Sequence, residues 1–158
     1  MDTTVRNTIF SILAGILCAC SWWSLIIGWK LEYNYQSEKS SNQTEVQEIM
    51  NNVANVWTMP SVTFIGLVII NFIPNSAIIG DGFGLDGKVY LLRFFVFIGF
   101  LCMFVPLVAS IWYGIEGFMV SKVYADNLGW AMIVSSVTMM LAGLIFKMGR
   151  TEEAWSAW

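Results

Sequence analysis

The chain has 158 residues, 57% of them hydrophobic and only 12% charged, with a net charge of −3 and a mean hydropathy of +0.66. Soluble domains carry about a quarter charged residues, so an ordinary soluble domain is excluded, and 158 residues give one domain. There is no histidine, which removes the commonest general base and metal ligand.

The charges fall in clusters. None lies between Arg6 and Lys30, Glu48 and Asp81, Arg93 and Glu116, or Asp126 and Lys147. Each gap suffices to cross a hydrocarbon core of about 30 Å at about 1.5 Å per residue. The expected fold is an all-α membrane protein, a four-transmembrane-helix bundle with spans at about 8–29, 57–79, 94–115 and 128–146. The first span is too long for the apolar core of a signal peptide, and Trp22, Trp23 and Trp29 stand at its far end like interface anchors. Along it, Ser11, Gly15 and Ala19 recur at four-residue spacing and predict a close-packing face, used inside the bundle or by a partner helix.

The polar segment 30–56 begins irregular and then turns periodic, with Val46, Ile49, Met50, Val53 and Trp57 at helical spacing. Thr44 and Gln47 fit a capping box, so a short amphipathic helix is expected from near Thr44, which either lies on the membrane interface or runs straight into the second span, Pro60 favouring a bend between the two. Asn42-Gln43-Thr44 is the one glycosylation sequon, which makes Asn42 a candidate for N-glycosylation. In the second span Asn71, Pro74 and Asn75 form a polar break, read either as a cavity lining or as a kinked helix end whose asparagines bond backbone.

Gly82 to Gly87 reads "GFGLDG", which fits G-x-G-x-x-G but has no room for the surrounding βαβ unit, so a tight turn is expected. Asp81 and Asp86 lack the spacing of a calcium loop. Ser110 and Gly114 mark a second small-residue face on the third span, and Glu116 stands at its end. Cys18, Cys20 and Cys102 lie within spans and read as packing residues. No catalytic, cofactor-binding or metal-binding residue is expected, and no enzyme activity. Arg6, Lys88, Arg93, Lys147 and Arg150 outnumber Lys30, Lys39 and Lys122 on the opposite loops, which predicts cytosolic termini and a lumenal first loop.

Four segments occur in order: "RNTIFSILAGIL" followed by Trp22-Trp23; "IIN" followed by Asn75 and Gly80-Asp81; "LVASIWYG" at Leu107–Gly114; and "FKMGRTEEAW" at Phe146–Trp155. Together they resemble the transmembrane protein 50 family, relatives of the yeast vacuolar protein sorting 68 protein. The likeness covers all four spans, although the first loop here is longer and adds the periodic stretch. The resemblance implies a non-enzymatic four-helix protein of endoplasmic reticulum, Golgi and endosomal membranes. The yeast relative works with a second small four-span protein in traffic from late endosome to vacuole.

The tail Lys147, Arg150, Glu152 and Trp155 suits a helix stop and headgroup anchor, and its match to the family block marks it as a contact for a partner or another cytosolic loop. The leading expectation is an accessory subunit of an intracellular membrane-protein complex, in sorting or in lipid traffic at membrane contacts. Its expected partners are other integral membrane proteins, in a hetero-complex such as a sorting or lipid-transfer assembly, and membrane lipids, with no nucleic acid. The alternative is a lipid-handling protein that uses the broken second span. A polar cleft beside Pro74 would favour the alternative; a sealed bundle with an uncovered small-residue face would favour the first.

Overall fold

The structure, a computed structural model, describes residues 3–40, 42–73, 87–120 and 124–149. These residues form α1 (Thr3–Lys39), α2 (Gln43–Val53), a 3-10 turn (Ala54–Trp57), α3 (Thr58–Phe72), α4 (Gly87–Tyr113), a π-helical segment (Gly114–Val120) and α5 (Asp126–Gly149). Among them there is no strand. Among the described residues four stretches are long and apolar enough to cross a membrane: Thr4–Lys39, Gln43–Phe72, Tyr90–Val120 and Asp126–Gly149.

At 37 residues α1 is about 55 Å long, well beyond what a bilayer core requires. The stretch 30–39, read from sequence as irregular loop, continues the helix. It contains neither Gly nor Pro, and its turns are tied by a Gln36 to Glu32 side-chain bond of 2.8 Å and by Lys30 over the Tyr33 ring. The chain turns at Ser40, whose hydroxyl donates to the Glu45 carboxylate at 2.7 Å. Asn42, not Thr44, caps α2. Its extended backbone leaves Oδ1 free to accept from Thr44 N at 3.1 Å.

α2 does not lie apart from the bundle. Val46, Met50 and Val53 are buried on one face, and Val53 and Val56 join Leu25, Phe118, Leu128 and Met132 in a core cluster at this end. The irregularity before α3 falls at Ala54–Trp57 rather than at Pro60, which sits in the first turn of α3, where an absent N–H costs nothing. Trp57 packs on Trp22 (ring centroids 6.4 Å apart) and Trp29 (5.8 Å). Two of the three expected anchors are therefore inter-helix packing groups; Trp23, 64% exposed, faces outward. α3 ends early because Ile73 precedes Pro74: residues before proline are driven out of the α region, and Ile73 has φ −92° and ψ 119°.

α5 is the hub, touching α1 most extensively and also α3 and α4. Of its apolar window 44% is buried, against 17% for α1, so α1 is the peripheral helix. The antiparallel α1–α5 seam follows a seven-residue repeat on both sides. On α1, Ala14, Ser21 and Gly28 alternate with Cys18, Leu25 and Glu32; on α5, Leu128, Ser135, Ala142 and Gly149 answer them. Spacing of 3.5 residues is the pattern of left-handed helix pairs. A second series on α5, Gly129, Ser136 and Gly143, faces the π segment, α3 and α4. A Cβ on Gly129 would come within 2.6 Å of the Gly114 carbonyl, and one on Gly66 within 2.7 Å of the Gly99 carbonyl. These backbones therefore meet directly.

Candidate functional site

The seam is closed by polar groups at its middle and at one end. In the middle, the Ser21 hydroxyl meets the Ser135 carbonyl at 2.7 Å and the Ser135 hydroxyl at 3.0 Å, with all three atoms in the buried interior. One turn along, Cys18 Sγ lies 3.7 Å from Met139 Sδ. At the far end Glu32 is fully buried. One carboxylate oxygen accepts from Gln36 Nε2 and the other from Ala125 N at 2.9 Å, immediately before α5 begins. The carboxylate thus occupies the partially positive N-terminus of α5 from another helix.

At the opposite end, Lys147 Nζ donates to the Ile73 carbonyl at 2.5 Å. The last turn of α5 thereby supplies a cation to the carbonyl-rich end of α3. Arg6 lies one turn before Phe10 on α1, and Phe10 packs against Gly149 so closely that any Cβ there would overlap its ring. Beside them is an apolar cleft of about 230 Å³ lined by Phe10, Leu144, Ile145, Met148 and Gly149.

The two small-residue faces separate. Ser110 and Gly114 are buried, and Gly114 is pressed against Gly129 and Ile133, so this face serves the bundle itself. The Ser11, Gly15 and Ala19 face points away from α5. Ser11 is half-buried, Ala19 is exposed, and a Cβ built on Gly15 would meet nothing within 4 Å. The internal seam lies on the neighbouring stripe instead. A four-residue repeat of small residues marked a smooth face, whereas the seven-residue repeat on α1 and α5 marks the paired one.

Asn71 donates its side-chain amide to the Leu67 carbonyl at 2.7 Å, the backbone-bonding role of a helix end. Pro74 and Asn75, and in the tail Arg150, Glu152 and Trp155, lie outside the described residues, as do Gly82 to Asp86. Asn42 is exposed at the tip of the α1–α2 hairpin. Glu116 is exposed and accepts from Trp112 Nε1. Among the described residues no group of three His, Cys, Asp or Glu side chains converges as a metal site would require.

The sequence reading missed Glu32, which it counted as part of a polar loop. The available signal was its place in the 18, 25, 32 series of α1. Arg6 was used only for its sign. It sits four residues before Phe10, on the same face, and its Nε is buried without a hydrogen-bond partner.

Residues 1–155 match an uncharacterised protein family, designated UPF0220. No solved structure matches the chain.

Proposed function

The chain belongs to the UPF0220 family, and from that premise we propose that it is a non-enzymatic accessory subunit of an intracellular membrane-protein complex, related to the transmembrane protein 50 and vacuolar sorting 68 group. One observation carries this reading. The peripheral helix α1 keeps an uncovered small-residue face, at Gly15 and Ala19, while the other small-residue face, at Ser110 and Gly114, is buried within the bundle. Between lipid-embedded helices apolar burial gives little net drive, so association relies on close backbone approach, which such a face permits. The partner is another integral membrane protein, and the setting is endosomal or late-secretory sorting or lipid traffic at membrane contacts.

Replacing Gly15 and Ala19 together by leucine should remove a co-purifying partner from mild-detergent extracts, with helicity and unfolding midpoint unchanged. The unchanged fold follows because neither side chain enters the seam. Quantitative mass spectrometry of the purified complex reads the result. Full recovery of the partner at its normal ratio would overturn the assignment of this face.

In the proposed orientation both termini are cytosolic and the α1–α2 hairpin is lumenal. Among the described residues, the hairpin end carries Lys30 and Lys39 among six acidic residues, and the other end carries Arg6, Arg93 and Lys147, so the cation excess of three to two runs in the direction of the positive-inside rule. A lumenal hairpin presents Asn42, exposed and followed by the Thr44 its sequon needs, to the glycosylation machinery. The expected result is a glycosidase-sensitive mobility shift that Asn42→Gln abolishes. An N-terminal tag digested by protease outside sealed microsomes should accompany it, and a protected tag would reverse the orientation.

A further inference from the structure

We propose that the Arg6 end of the α1–α5 seam is a binding site for one anionic phospholipid, with the phosphate on the Arg6 guanidinium and part of an acyl chain in the adjoining cleft. The inference goes beyond the accessory role above and requires only that the helices lie in a bilayer. Two independent features converge. The Nε of Arg6 is buried yet has no hydrogen-bond partner. A buried donor without an acceptor costs free energy, which is relieved when the side chain turns outward and its guanidinium edge meets two phosphate oxygens of matching geometry and charge. One turn further along the same face, Phe10 forms a wall of the open apolar cleft with Leu144, Ile145 and Met148. At about 230 Å³ the cleft holds a length of one hydrocarbon chain, not a whole lipid. A groove lined in this way at the last turn of a membrane-spanning helix meets acyl chains before anything else.

Charge decides the lipid class. Arg6, Arg93 and Lys147 are the charged side chains described at this end, and all are cationic. Lys147 already holds the α3 terminus through the Ile73 carbonyl, whereas the guanidinium edge of Arg6 has an unmet donor. An anionic headgroup is therefore favoured over a zwitterionic one, whose own ammonium would be brought toward the same cations. Arg6 supplies the headgroup contact, Phe10 and Met148 the chain contact, and their separation by about one helical turn matches the step from phosphate to upper acyl chain.

The test uses the full-length protein reconstituted in nanodiscs of phosphatidylcholine with a minority of phosphatidylserine, then released for native mass spectrometry. Wild type should retain phosphatidylserine in preference to phosphatidylcholine. Arg6→Gln should lower that preference about tenfold, the effect of one charge-assisted phosphate contact, and Arg6→Lys by less. Met148→Trp, at a position 80% exposed and so tolerant of substitution, should fill the cleft and lower retention even if Arg6→Gln proves poorly folded. Chains ending after Gly149 should keep the preference. Equal retention of both lipids by wild type, an unchanged preference in folded Arg6→Gln, or loss of the preference on removing residues 150–158 would each overturn the site.

Discussion

Gly28→Val should destabilise the bundle by about 2–3 kcal/mol, the scale of forcing a side chain into a filled contact. Any Cβ at position 28 overlaps the Cβ of Ala131, while the Asn127 carbonyl and Leu128 Cδ1, 3.6 Å away, are in ordinary contact. The obstruction is a Cβ, which cannot rotate aside, so α1 and α5 must part. Gly28→Ala tests the geometry more sharply. In a helix the change should help by about 1 kcal/mol through lower backbone entropy in the unfolded chain, yet here the overlap should make it net destabilising. Combining it with Ala131→Gly reopens the space, and the pair should show a favourable coupling of about 1–2 kcal/mol. Gly15→Ala supplies the contrast, since its Cβ enters empty space; it should be neutral or mildly stabilising. Unfolding by titration into a denaturing detergent, followed by helicity, measures these four and the Ala131→Gly single variant that the coupling requires. A Gly28→Ala variant as stable as Gly15→Ala would mean that the seam is not held at this spacing.

The same two glycines show what a single sequence discloses about a membrane bundle. Charge-free stretches report membrane spans because the bilayer penalises charge wherever a helix meets it, and that signal is independent of neighbours. Which face of a span pairs with which is a relation between two helices. Ser11, Gly15 and Ala19 satisfied a local rule for close packing, but the face that pairs inside the bundle is Ala14, Ser21 and Gly28, recognisable only when its seven-residue repeat is matched to that of Leu128, Ser135, Ala142 and Gly149. Boundaries failed for a related reason. Polarity after Trp29 signals the end of the membrane, not the end of the helix, and α1 runs ten residues further because α2 and the start of α5 are there to pack against it. The early end of α3 was legible in principle, since Ile73 stands before a proline.

The candidate site divides along the same line. Sequence could place Arg6 and Lys147 at one end of the spans, but not distinguish a cation whose bond is made, Lys147 on the Ile73 carbonyl, from one whose Nε has none. It likewise could not separate a small-residue face used within the bundle, Ser110 and Gly114, from one left open. The proposed accessory role and lipid site both rest on these distinctions. They occupy different surfaces of α1, the Gly15 face and the Arg6–Phe10 face, so substitutions at one should leave the other intact.

Glu32 is where removing one side chain should most loosen the membrane-distal end. Its carboxylate is buried and accepts from two donors on different elements, Gln36 Nε2 within α1 and Ala125 N at the start of α5. Glutamine is nearly isosteric but carries one acceptor oxygen and one donor nitrogen. In Glu32→Gln the new amide oxygen keeps the Ala125 N–H while its nitrogen meets Gln36, whose own amide must turn over to present an oxygen, and with the charge-assisted bonds lost the expected cost is about 1–3 kcal/mol. Glu32→Ala removes both bonds and leaves a void, for about 2–4 kcal/mol. The damage should be local before it is global, because the bonds join the last turns of α1 to α5 while the Ser21–Ser135 contact lies three turns away. Hydrogen exchange should accelerate over residues 30–53 and at the start of α5, with residues 8–24 protected as in wild type. Charge on the carboxylate contributes too, since it faces the N-terminal amides of α5, an interaction that an amide oxygen reproduces only in part. If Glu32→Gln matched wild type in both unfolding and exchange, the joint would be held by the apolar cluster of Leu25, Val53, Val56 and Leu128 alone, and the buried carboxylate would need another explanation.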